Sequence, residues 1–159
     1  VNGELRAKAI DIFIDADACP VKDEVYRVAQ RYGLQVHVVA NAFITIPAHP
    51  RIARVIVDAG PDVADDWIAE RATPGDVVIT NDIPLAERVL KAGAVAIAPN
   101  GRLFTVDSIG SAMAQRAIME QIRSTGAITG GPRPFDRTDR SRFLQSLDQA
   151  INKVMRLRR

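Results

Sequence analysis

Cysteine is nearly absent from this sequence, with Cys19 the single one in 159 residues. No internal disulfide can form, so a core must hold the chain together instead of covalent staples. Aromatic residues make up 5% and Trp67 is the sole tryptophan, which argues against a stacking platform of the sort that holds single-stranded nucleic acid. Histidine occurs twice, and Cys19, His37 and His49 share no metal-ligand spacing, so zinc is not expected. Long apolar runs are missing too. They are broken by Asp, Asn or Pro well short of the roughly 20 residues that cross a bilayer, and a membrane role is set aside. The opening residues, VNGELRAKAI, have no basic segment leading into an apolar stretch, which with the lone cysteine makes the cytosol the expected compartment.

What the sequence does have is enough apolar content, 47%, for a sizeable core in a single domain spanning residues 1–159. Its net charge of +2 is unevenly spread. Residues 1–115 hold 11 basic and 15 acidic side chains, whereas residues 116–159 hold 10 basic and 4 acidic. An anionic partner would meet the C-terminal part, whose basic excess suits nucleic-acid phosphates, although an Arg-rich surface helix is common in proteins that bind none.

Apolar alternation over residues 10–14 predicts a strand ending in the acidic loop DADACP. Pro20 then suits the first turn of a helix that Tyr32-Gly33 ends. Strands are predicted at 36–40, 54–57, 77–80 and 94–98, with an exposed Pro-containing loop over 41–51. Helices are predicted at 63–72 with Asp62 as its cap, at 84–91 with Gly93 as its stop, at 108–123, and at 139–158. Asn100-Gly101 is a hairpin signal and predicts that 103–105 turns one sheet edge antiparallel. In the last helix Phe143, Leu147, Ile151 and Val154 form an apolar stripe for docking on the core. The expected fold is a three-layer α/β/α sandwich with a mostly parallel sheet over about 10–105, followed by a helical part over 106–159.

In such sheets ligands sit outside the carboxyl ends of the strands. The polar residues there are mostly aspartates: Asp15 and Asp17 after the first strand, Asp82 after the run ending at Thr80, and Asp65 and Asp66 on the intervening helix. Clustered like charges stay ionised only where cations or donors compensate them, and all-oxygen ligands suit Mg²⁺ or Mn²⁺. Metal held by carboxylates can activate water and polarise a phosphoryl oxygen, which makes phosphodiester hydrolysis the natural reaction class. Asp15, Asp66 and Asp82 are the candidate catalytic groups, all five aspartates are candidate metal ligands, and Lys22, Thr80 and Asn81 are candidate substrate contacts. Each has a plainer role as well: Asp62 and Asp82 stand at helix caps, Asp65 and Asp66 complement a helix dipole, and a lone helical Lys22 is usually solvated. Cys19 lacks a His partner and reads as a small buried hydrophobe, and Gly130-Gly131 reads as a turn.

The blocks IDADACPVKDEVYRVA, GPDVADDWIAER, DVVITNDIPLAERVL, PNGRLFT, TGGPRPFDRTDRSRF and QSLDQAI closely resemble the YaiI/YqxD family of bacterial proteins, from about Ile12 to Ile151. The resemblance implies a fold similar to PIN domains, which are metal-dependent nucleases. Those carry an Asp at the end of the first strand, an acidic residue on the second helix and a Thr-x-Asp segment after the fourth strand. Asp15, Asp65 or Asp66, and Thr80-Asn81-Asp82 match these positions, while the further acidic residue usual after Thr-x-Asp is not evident. The leading expectation is a Mg²⁺- or Mn²⁺-dependent ribonuclease. A non-catalytic RNA-binding or adaptor module is the alternative from another class. A haloacid-dehalogenase-type phosphatase fits less well, since Cys19 stands where that class has Thr.

Overall fold

The computed structural model describes residues 9–17, 19–126 and 134–158. Five strands form one sheet: β1 (Asp11–Asp15), β2 (Gln35–Ala40), β3 (Ile52–Ile56), β4 (Val77–Ile79) and β5 (Val95–Ile97). Among the described residues five helices flank it: α1 (Lys22–Tyr32), α2 (Val63–Arg71), α3 (Ile83–Lys91), α4 (Val106–Ser124) and α5 (Arg137–Leu157). The strand order is β3-β2-β1-β4-β5 and every pairing is parallel.

Period-two alternation divides the core in two. Ile12, Ile14, Val36, Val38, Val77, Ile79 and Ile97 face a cluster completed by α1 and by Phe143, Leu147, Ile151 and Val154 of α5. Phe13, Val39, Val78 and Ala96 face the opposite way, onto α2, α3 and the start of α4. Val77, Val78 and Ile79 are wholly buried, as a central strand covered on both faces requires. The stripe on α5 docks as its spacing predicts, and full burial of Phe143 or Leu147 is worth about 1.5–3 kcal/mol each.

Three expectations need correction. The segment after Asn100-Gly101 forms no antiparallel strand, only an isolated bridge between Ile97 and Leu103. The turn itself closes, with the Gly101 N–H donating to the Ala98 carbonyl at 2.9 Å, but Thr105 caps α4 almost at once and leaves no residues to extend the pairing. Asp62 holds the N-cap position of α2, yet its side chain makes no capping bond. Its φ of 67° is left-handed, whereas side-chain capping needs an extended N-cap backbone. β3 also begins at Ile52, earlier than its β-branched run suggests. Gly130 and Gly131 lie outside the described residues.

Candidate active site

Strand order reverses between β1 and β4, which have β2 and β5 on their far sides. The crevice outside the carboxyl ends of β1 and β4 is therefore the topological switch point, where open parallel sheets bind ligands. A cavity of about 280 Å³ opens there, lined by Asp15, Asp17, Cys19, Thr80, Asn81, Asp82 and Pro99.

Thr80 organises it. Its side chain is 1% exposed, its Oγ1 donates to Asp15 Oδ2 at 2.8 Å, and the same oxygen accepts from the Asp82 N–H at 2.9 Å. One hydroxyl thus fixes the end of β1 against the loop leaving β4. Asp82 Oδ1 accepts from the Leu85 N–H at 2.9 Å, so this residue is also the N-cap its sequence position suggests. The half-buried Asp15 carboxyl is pushed above the ordinary range by burial, opposed by the Thr80 hydroxyl and reinforced by Asp17 and Asp82.

Asp65 joins from α2. Burial pushes its carboxyl up to about 7, and repulsion from Asp82, Asp15 and Asp62 adds to the shift, with Asp82 in hydrogen-bonding reach. Asp65 therefore exchanges a proton near neutral pH. The adjacent Asp66 turns outward, and its Oδ1 meets Arg88 Nη1 of α3 at 2.6 Å. Of the two neighbours, the structure brings Asp65 to Asp15 and Asp82 and directs Asp66 to an exposed ion pair.

The other candidates separate by environment. Asp17 and Asn81 are exposed on the cavity rim. Lys22 is half-buried and turned back on the chain: its Nζ donates to the carbonyls of Cys19 at 2.7 Å and Ala16 at 3.3 Å, clamping the loop after β1. Cys19 is buried and its thiol is raised by that burial, which keeps it neutral. Pro99, after β5, lines the cavity without having been singled out by sequence reasoning, although its place just past a strand end is an available signal. Phe43, outside this cavity, is also missed by sequence reasoning: it is 71% exposed, with Arg54 Cζ 4.3 Å from its ring centroid. Among the described residues, no group of three or more His, Cys, Asp or Glu side chains is positioned to hold a metal ion.

The model of the family described as "Uncharacterized BCR, YaiI/YqxD family" matches residues 13–153. The chain belongs to the YaiI/YqxD family. Its relatives include a UPF0178 protein of Caulobacter sp. (strain K31), 65% identical over 92% of this chain and 97% of that one. Others are a UPF0178 protein of Rhodopseudomonas palustris (strain TIE-1), 61% identical over 92% and 93%, and one of Azorhizobium caulinodans, 58% identical over 95% of each. No solved structure matches. No described helix of this YaiI/YqxD chain is long and apolar enough to cross a membrane.

Proposed function

We propose that this YaiI/YqxD protein is a Mg²⁺- or Mn²⁺-dependent phosphodiesterase acting on RNA, with Asp15, Asp65 and Asp82 as the carboxylates of its site. The observation that carries the reading is that Asp15 and Asp82 line one cavity at the switch point of the sheet, with Asp65 of α2 near enough for their charges, together with burial, to raise it to about 7. Their chemistry suits a hard divalent cation: oxygen donors on separate rigid elements, repelling one another. A bound Mg²⁺ or Mn²⁺ would supply Lewis acidity toward a phosphoryl oxygen and toward water. The chain's own part is positional and protonic. Thr80 holds Asp15 and the Asp82 backbone in register, the α3 cap fixes the Asp82 carboxylate, and Asp65 takes or gives a proton at neutral pH.

A non-catalytic RNA-binding module is favoured by one observation, that no described trio of carboxylates closes on a single point. Calorimetric titration of Mn²⁺ into wild type and the Asp15→Asn, Asp65→Asn and Asp82→Asn variants separates the two, with single-stranded RNA cleavage followed on the same samples. Asn preserves the α3 cap, so Asp82→Asn tests the carboxylate and not the helix. Binding and cleavage lost together in the variants support the nuclease. Wild type that takes up no Mn²⁺ and leaves RNA intact ends that reading in favour of the binding module.

A further inference from the structure

A second cavity, about 390 Å³ in volume, lies between the turn at Asn100-Gly101 and α5. It adjoins the acidic crevice through the chain itself, because Pro99 lines the crevice and Asn100, the next residue, lines this cavity. Its character is opposite. No acidic residue lines it, and Arg102 and Arg142 both do. Neither guanidinium is paired with a carboxylate among the described residues. This distinguishes them from Arg140, bound to Glu24 at 2.9 Å, and Arg31, bound to Asp148 at 3.3 Å. Gln145 and Gln149 stand three and seven residues beyond Arg142, on the same face of α5, and add neutral donors.

The backbone builds this juxtaposition. Gly101 has a φ of +90°, and a Cβ there would stand 2.6 Å from the carbonyl carbon of Arg142. Only glycine lets the turn press against the helix so closely. Ser146 Oγ then donates to the Gly101 carbonyl at 2.6 Å and fastens the two segments. Arg102 follows the turn and Arg142 sits where turn and helix meet, so two cations without a carboxylate partner among the described residues are held beside one cavity by fixed backbone.

We propose that this cavity is a phosphate-binding subsite, with Arg102 and Arg142 as its cationic contacts, that holds a backbone phosphate of single-stranded RNA next to the acidic crevice. Planar guanidiniums bind phosphate oxygens through paired N–H donors, and the side-chain amides complete a neutral-to-positive lining. The proposal rests on the phosphodiesterase reading only for what lies in the neighbouring crevice; the phosphate contact stands by itself. The subsite keeps the polyanion near carboxylates that would otherwise repel it.

The test is fluorescence anisotropy of a labelled short single-stranded RNA with EDTA present, so that binding is read apart from cleavage. Wild type is compared with Arg102→Gln/Arg142→Gln and with Arg116→Gln/Arg123→Gln, which removes equal charge from α4. The first double variant is expected to bind about tenfold or more weakly, with an unchanged melting temperature, and its log–log salt slope should flatten by about 0.7 for each phosphate it no longer neutralises. The α4 variant is expected to bind as wild type does. Equal binding by wild type and Arg102→Gln/Arg142→Gln overturns the proposal, as does an equal weakening in the α4 control, which would mean diffuse attraction. A third arm titrates inorganic phosphate: thermal stabilisation of wild type but not of Arg102→Gln/Arg142→Gln, without RNA binding, would assign the site to free phosphate and overturn the RNA assignment. RNA held through these arginines but never cut with Mn²⁺ keeps the subsite and removes the nuclease.

Discussion

Two ends of the same strands treat aspartate in opposite ways. At the amino end of β4, Asp76 is wholly buried and well supplied with donors: the Asp11 N–H at 3.1 Å, the Thr73 N–H at 2.9 Å and the Thr73 hydroxyl at 2.8 Å. It ties the start of β1 to the turn before β4. At the carboxyl end, Asp15, Asp65 and Asp82 are only partly buried, crowd one another, and share few donors, chiefly Thr80 and the Leu85 N–H. A carboxylate that serves the fold is given its hydrogen bonds by the fold. Carboxylates set together without them leave an excess of negative charge that a cation or a proton must offset.

The largest effect should come from removing the satisfied carboxylate. Asp76→Ala strands buried donors of Asp11 and Thr73, and should cost about 3 kcal/mol or more in urea-denaturation stability. The same truncation at Asp15 should cost much less, because the donor it frees lies beside an open cavity that water can enter. Equal losses at the two positions would dissolve the contrast between the two ends.

Asp65 gives a smaller effect of opposite sign that depends on pH. Its ordinary value is 3.8 and its folded value about 7, so the unfolded chain releases the proton first as pH rises. Its contribution to stability is fully present below about pH 4 and is lost as pH climbs through about 7. Asp65→Asn should therefore match wild type in melting temperature near pH 4 and exceed it increasingly up to about pH 8. Saturating Mn²⁺ at the upper pH should reverse the order by stabilising wild type alone. A difference in melting temperature that stays constant across this range would mean that the carboxyl is not raised by its surroundings.

Elements with strong local signals are legible in the sequence. The run from Val77 to Ile79 announces a strand covered on both faces, and the spacing of Phe143, Leu147, Ile151 and Val154 announces a docked helix. The rule about strand carboxyl ends leads to Asp15 and Asp82 without any geometry. What stays illegible depends on partners distant in the chain. Asp65 and Asp66 are equivalent by spacing, and what separates them is the position of Arg88 on α3 beside Asp66 and of Asp15 and Asp82 beside Asp65. The basic excess after residue 115 reads as one surface, but Arg140 is taken by Glu24 and Arg158 donates to the Pro74 carbonyl. The cation pair beside the cavity includes Arg102, which precedes that segment. Asn100-Gly101 makes a turn but not the antiparallel edge expected of it, and the close approach of α5 to that turn carries no local mark.

The smallest expected effect discriminates most finely between those neighbouring aspartates. The Asp66–Arg88 pair joins α2 to α3 at the surface, with about half of each side chain exposed, so water competes for both charges. Exposed pairs of this kind contribute roughly 0.2–1 kcal/mol, and Asp66→Asn or Arg88→Gln should shift stability by no more than that. Neither should alter Mn²⁺ uptake, because Asp66 is directed away from Asp15 and Asp82. Asp65→Asn, one residue earlier and nearly isosteric, should abolish or severely weaken that uptake. Both variants remove one negative charge from the same helical turn, so any general loss of acidity near the crevice is common to them. A difference in Mn²⁺ affinity between them therefore measures side-chain direction alone. Loss of Mn²⁺ in Asp66→Asn with retention in Asp65→Asn would reverse the assignment, and equal loss in both would reduce the site to bulk negative charge.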